Sequence, residues 1–101
     1  MLYLIAYDLC ADGQDYRAIS QAIASVAESE DDCCRIQQSV WVIWTNLASA
    51  RAVLDKLKPV MDNNDQCFVC AVTSDSDQIL YSSAEKKIRE LKRRYDSPRI
   101  F

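Results

Sequence analysis

The chain has 101 residues, half of them hydrophobic and 27% charged, with a net charge of −3. That is one domain's worth of ordinary globular sequence, and it excludes wholesale disorder. The absence of His excludes Ser-His-Asp and Cys-His catalysis and any His-ligated metal site, and the single glycine, Gly13, excludes a glycine-rich phosphate loop. No apolar run approaches the roughly 20 residues of a membrane span. The opening Met1-Leu2-Tyr3 lacks the basic region of a signal peptide, so a cytoplasmic location is expected.

The net charge hides a division. Residues 1–81 carry 5 basic and 12 acidic side chains, net −7, whereas residues 82–101 carry 7 basic and 3 acidic, net +4. A basic tail on an acidic body points to a functional asymmetry.

In chain order, the aliphatic and aromatic run 2–9 predicts a strand, broken by Ala11-Asp12-Gly13. Tyr16, Ile19, Ile23 and Val26 recur at helical spacing and predict a helix over 14–28, capped by Asp12 or Asp15. Glu28-Ser-Glu-Asp-Asp32 reads as a solvated acidic connector. Residues 33–38 and 40–45 read as two strands with a bend near Gln38-Ser39. Leu47, Ala50, Val53, Leu54 and Leu57 predict a second helix over 47–58, with Pro59 either ending it or lying in a distorted last turn. Residues 61–65 form a turn, 66–73 a strand and 74–77 a polar loop, and 78–81 reads as a short extra strand. Ser82 and Glu85 fit a capping box opening a last helix with Ile88, Leu91 and Tyr95 on one stripe.

This order, β-α-β-β-α-β with an added strand and helix, is the ferredoxin-like α+β pattern in a single domain, with a core over 1–73 and an extension over 74–101. The strands 2–7, 40–44 and 67–72 are apolar on both parities, whereas a sheet with one wet face alternates. Two helices cover only one face. Either the C-terminal helix folds back over the other or a second protomer stacks on it, and a two-fold homodimer is favoured.

Five cysteines, Cys10, Cys33, Cys34, Cys67 and Cys70, invite a metal or redox reading. Cys67 and Cys70, however, lie three apart in a predicted strand and so point to opposite faces; core thiols are expected.

Three segments carry a family likeness. Tyr3-Leu-Ile-Ala-Tyr7-Asp8-Leu9 resembles the first strand of the CRISPR-associated Cas-two family, and Arg35-Ile-Gln37-Gln-Ser39-Val40-Trp41 resembles that family's Arg-x-Gln-x-Ser-Val-aromatic segment. Gly13-Gln-Asp-Tyr16, with Ser39-Val-Trp-Val-Ile-Trp-Thr45 and Asp55-Lys-Leu-Lys-Pro59 through Asn64-Asp65, is similar to SinR-like proteins of the same superfamily, to which the VapD ribonucleases also belong. The likeness spans roughly residues 1–73. It implies a protomer that dimerises through its sheet, with the strand-end Asp8 meeting its symmetry mate near a metal site proposed for phosphodiester cleavage. It also implies a non-catalytic role as the central dimer of a spacer-integration complex. The sequence departs from the family pattern in its acidic 28–32 connector, its compressed second hairpin and its added basic helix.

Catalysis in such a chain runs through carboxylate and Mg²⁺. Asp8 is the candidate metal ligand and catalytic residue, two copies across a dimer axis supplying what one cannot, with Asp12 a further donor; the alternative is that Asp8 caps the turn. Arg35, Gln37 and Ser39 are candidate nucleic-acid contacts through the resemblance, although pairing with the acidic connector is favoured for Arg35 and Gln37 and packing of the hairpin turn for Ser39. Tyr7 and Trp41 fit buried positions better than base stacking. Lys86, Lys87, Arg89, Lys92, Arg93 and Arg94 surround the last helix, which either tracks a phosphate backbone, chiefly through Lys92, Arg93 and Arg94, or docks on the acidic body. Three functions follow: a Mg²⁺-dependent ribonuclease or deoxyribonuclease; a dimeric nucleic-acid scaffold without catalysis; and a protein-interaction module such as a toxin–antitoxin component or a mobile-element regulator.

Overall fold

A computed structural model describes residues 1–9, 16–73 and 75–96. Strands β1 (Leu2–Asp8), β2 (Cys33–Gln37), β3 (Val40–Trp44) and β4 (Gln66–Ala71) form one antiparallel sheet in the order β2-β3-β1-β4. Helices α1 (Tyr16–Val26), α2 (Ala50–Leu57) and α3 (Ser82–Asp96) complete a mixed α+β fold, with 3₁₀ turns at Glu30–Asp32 and Lys58–Val60.

The elements follow local chemistry. Ser49 caps α2, its hydroxyl accepting the Ala52 N–H at 3.1 Å. Pro59 lies in the tightened turn that follows α2, so the distorted ending holds and the regular helix stops at Leu57. The 61–65 turn closes on itself, the Asp62 N–H donating to the Asp65 carboxylate at 2.8 Å. The predicted bend is the turn at Gln38 and Ser39, and just before it the register passes from Arg35↔Trp41 to Gln37↔Val40, leaving Ile36 as the extra residue of a bulge. The proposed Asp12 or Asp15 cap of α1 lies outside the described residues.

Antiparallel partners share a face, so the register sorts every side chain. Tyr3, Ile5 and Tyr7 face α1 and α2 and pack with Ile19, Ile23, Ile43, Val53 and Leu57, the larger core. Leu2, Leu4, Ala6 and Asp8 face the other way. There α3 lies over the β2–β3 side, packing Ile88 and Leu91 against Leu2, Cys34 and Val42 in a second core. Burying each such side chain contributes about 1.5–3 kcal/mol. The second apolar face is therefore covered in part by the chain's own last helix.

Four expectations need correction. Residues 78–81 form no strand: the Leu80 N–H donates to the Glu85 carboxylate at 3.0 Å and Leu80 packs into the second core, so the segment crosses the sheet face instead of pairing at an edge. Its alternation is nevertheless strand-like, with Ile79 95% and Tyr81 89% exposed. Tyr16 is 41% exposed and only rims the core, its ring 6.4 Å from that of Tyr7, because it stands in the first turn of α1. The 28–32 connector is not wholly solvated: Asp32 is 5% exposed, accepting from Ser29 Oγ at 3.0 Å and from Arg94 at 3.0 Å. Arg35 reaches the Gln38 carbonyl, not the connector.

Candidate nucleic-acid site at the end of the central strand

β1 carries its only carboxylate at its last residue. Asp8 is exposed, on the sheet face opposite α1 and α2, and opposes Gln66 at the start of β4. Asp8 and Gln66 line a groove of about 330 Å³ with Ala6, Tyr7, Cys67 and Phe68. Phe68 opposes Ala6 and is 64% exposed, so this face is apolar and open at the Asp8 end of the β1–β4 strip, whereas the Leu2 and Val72 end packs under α3 and Leu80.

The hairpin turn comes to the same end of the sheet. The Tyr7 N–H donates to the Ser39 carbonyl at 3.1 Å, placing Ser39 beside the residue that precedes Asp8. The Arg35 guanidinium closes the turn through two N–H donations to the Gln38 carbonyl, at 3.0 and 2.6 Å. Gln37 is exposed and Ser39 half-buried. Tyr7 is buried beneath the site, its hydroxyl accepting Trp41 Nε1–H at 3.2 Å. Thus Asp8, Gln37 and Ser39 are gathered at one end, with Arg35 shaping the turn beside them.

The basic-helix residues lie elsewhere. Arg94 pairs with Asp32, which directly precedes Cys33; Cys33 is level with Tyr3, five residues from Asp8 or about 17 Å along the strands. Lys92 Nζ donates to the Ser76 carbonyl at 2.7 Å and to Gln78 Oε1 at 3.3 Å. Lys87 Nζ donates to the Glu30 carbonyl at 3.3 Å. Arg93 is exposed. The residues expected to contact nucleic acid therefore form two groups, and Lys92 and Arg94 also fasten α3 to the body. Chain-distant partners such as Asp32 and Arg94 left no motif from which this fastening was readable. Gln66 and Phe68 were missed too; they become visible only through the β1–β4 register.

Mg²⁺ takes hard oxygen donors in near-octahedral array and keeps several waters. Asp8 and the Gln66 amide oxygen are of the right kind, but one protomer provides few of them. Among the described residues no three His, Cys, Asp or Glu side chains come together as a metal cluster. The donors present fit a cation only where a second copy brings its own. The Cys-x-x-C pair separates as geometry requires: Cys67 opposes Tyr7 on the α1–α2 face, and Cys70 opposes Leu4 on the other. Burial pushes the Cys33, Cys34 and Cys67 thiols up, which keeps them protonated as core groups.

At the opposite edge of α3's footprint, Glu85 accepts from Arg89, Gln78 Nε2 and the Leu80 N–H, and these bonds hold its carboxyl below the usual carboxylate range. The capping box is not made as predicted: Ser82 is already the first residue of α3, and the Glu85 carboxylate reaches past it to the Leu80 N–H; the Ser82 and Tyr95 side chains lie outside the described set. Because Glu85 is more acidic folded than unfolded, its contribution is present above the unfolded value and is lost as pH falls through the folded one. Hydrogen exchange should therefore show the first turn of α3 and residues 78–80 opening as pH falls through the acid side of the carboxylate range, and Glu85→Gln should remove that step.

A four-stranded antiparallel sheet with three helices and a strand-end carboxylate beside a hairpin turn defines the class: small mixed α+β proteins, here with a candidate site at the end of a central strand. Within it, the chain belongs to the family described as CRISPR associated protein Cas2, whose model matches residues 1–80. No curated protein matches the chain. The family match thus covers the sheet, the site and the 75–80 crossing, and stops before α3. No described helix is long and apolar enough to cross a membrane.

Proposed function

We propose that this Cas2-family chain is a nucleic-acid-associated homodimer in which two copies of Asp8 hold Mg²⁺ for phosphodiester hydrolysis of RNA or DNA. The observation that carries the reading is the position of Asp8: an exposed carboxylate at the rim of an apolar patch that the chain's own helices leave open. A second copy stacked on that patch covers Phe68 and brings the two carboxylates toward one another. The strand order β2-β3-β1-β4 and the element succession support a ferredoxin-like core, the architecture the family likeness implies. The SinR-like segments agree with the same superfamily.

In this arrangement Asp8 and Gln66 supply hard oxygen donors, and the bound ion would activate water or stabilise the leaving oxygen. Gln37 and Ser39 contact the substrate backbone beside the metal, and Arg35 keeps the turn that presents them. A cytoplasmic setting suits such a substrate and the reduced thiols.

A second reading, a dimeric scaffold or protein-interaction module without catalysis, is favoured by the small donor set of each protomer. A cleavage panel of single- and double-stranded RNA and DNA, with Mg²⁺ and with EDTA, separates the two. Cleavage that requires Mg²⁺ supports the nuclease; no cleavage of any substrate leaves the scaffold.

A further inference from the structure

The six cations of α3 between Lys86 and Arg94 divide by direction. At 100° per residue, Ala84, Ile88 and Leu91 form the keel, packed on or within the second core. Lys87 and Arg94 lie on one flank and reach the Glu30 carbonyl and Asp32. Lys92 lies on the other flank with Glu85, and both bond the crossing segment. Docking of the helix is accomplished by these three cations and the keel.

Lys86, Arg89 and Arg93 take no part in it. They lie opposite the keel, at spacings of three and four, and all three are exposed. Lys86 and Arg93 have no hydrogen-bond or ion-pair partner among the described residues. Arg89 gives only its Nε–H to Glu85, which props the guanidinium so that its remaining N–H groups face solvent. Among the described side chains, Glu90 is the acidic one beside this row and Glu85 bonds Arg89 from the flank, so the three cations outnumber the carboxylates next to them. Cations held in a row on a rigid helix, each with donors to spare, complement a row of anions.

We propose that the Lys86–Arg89–Arg93 ridge of α3 is a contact for the phosphate backbone of a nucleic acid, separate from the Asp8 groove. The class of partner rests on the nucleic-acid reading above; the place and mode of contact do not. A body of net −7 over residues 1–81 repels a polyanion where no cation is bound, which leaves this ridge as the place of metal-free contact. Phosphate contacts position and carry no base sequence, so the binding is sequence-independent and needs no metal. With about three phosphates neutralised, affinity falls roughly 20- to 40-fold between 50 and 200 mM salt, less steeply for single strands than for duplex.

The test measures fluorescence anisotropy of labelled RNA and DNA in EDTA across that salt range. It compares the wild-type chain with Lys86→Gln/Arg89→Gln/Arg93→Gln and with Arg51→Gln/Lys56→Gln/Lys58→Gln, which makes the same change of charge on and after α2. The first variant is expected to lose roughly 2–3 units of salt slope and most of its affinity, and the second to retain both. Equal loss in the two variants, or full binding by the first, overturns the ridge while leaving the nucleic-acid reading intact. Wild-type binding to poly-glutamate alone, with none to RNA or DNA, overturns the ridge and the nucleic-acid reading together. Thermal melts of all three proteins establish that each is folded.

Discussion

Asp8→Asn is expected to lower Mg²⁺-dependent cleavage at least about 100-fold, because outer-shell partners of a metal already cost 10- to 100-fold and a ligand costs no less. Asparagine has the shape of aspartate and keeps an acceptor oxygen, so it preserves any capping of the turn after β1 while removing the charge a cation requires. Asp8 is exposed and ends its strand, and an exposed substitution of this kind changes stability by less than about 0.5 kcal/mol. The two roles therefore separate in one protein. Lost cleavage with an unchanged melting temperature assigns Asp8 to the metal. A lowered melting temperature with full cleavage assigns it to the turn.

Leu91→Ala is expected to destabilise the chain by about 2–5 kcal/mol, the cost of a large-to-small change at a fully buried position. In a domain of this size that is a fall in Tm of at least roughly 10 °C. Leu91 lies in the second core with Ile88, Leu2, Cys34 and Val42, so the cavity opens between α3 and the sheet. Leu91→Met, which conserves volume, should cost less than about 1.5 kcal/mol. If Leu91→Ala instead melted with the wild-type chain, α3 would not be packed on this face in solution, and the division of its cations into fasteners and ridge would fall with it.

The strands were legible because their chemistry is local. Leu2-Tyr-Leu-Ile-Ala-Tyr7 and Val40-Trp-Val-Ile-Trp44 are apolar on both parities, and both faces of the sheet prove to be packed at least in part. The same periodicity did not decide what covers the second face. Ile88 and Leu91 make a narrow stripe, and the groups that add to it are polar pairs distant in sequence: Arg94 with Asp32, Lys87 with the Glu30 carbonyl, Lys92 with the Ser76 carbonyl. No window of sequence contains both halves of such a pair. The 78–81 segment failed for a related reason. Its composition suggests a short strand, but a strand needs a neighbour to pair with, and a four-residue run does not report one.

The candidate site was legible in outline. Asp8 stood out as a carboxylate closing an apolar strand, and the hairpin residues as a likeness to the family that the match over residues 1–80 establishes. Gln66 and Phe68 were not legible, because they join Asp8 only through the β1–β4 register. The open patch that Phe68 shares with Asp8 is where the proposed second copy would stack, since α3 and Leu80 cover the Leu2 and Val72 end of the same strip.

A metal site shared by two copies of Asp8, as proposed, has a signature in mixed dimers. Wild-type chain is unfolded and refolded with an equal amount of Asp8→Asn chain, and Mg²⁺-dependent cleavage is measured at fixed total chain concentration. In a two-fold dimer whose site needs both carboxylates, random pairing leaves about a quarter of the activity of an all-wild-type sample of the same total concentration. About half would mean that each protomer holds a complete site of its own, and would rule out a shared one.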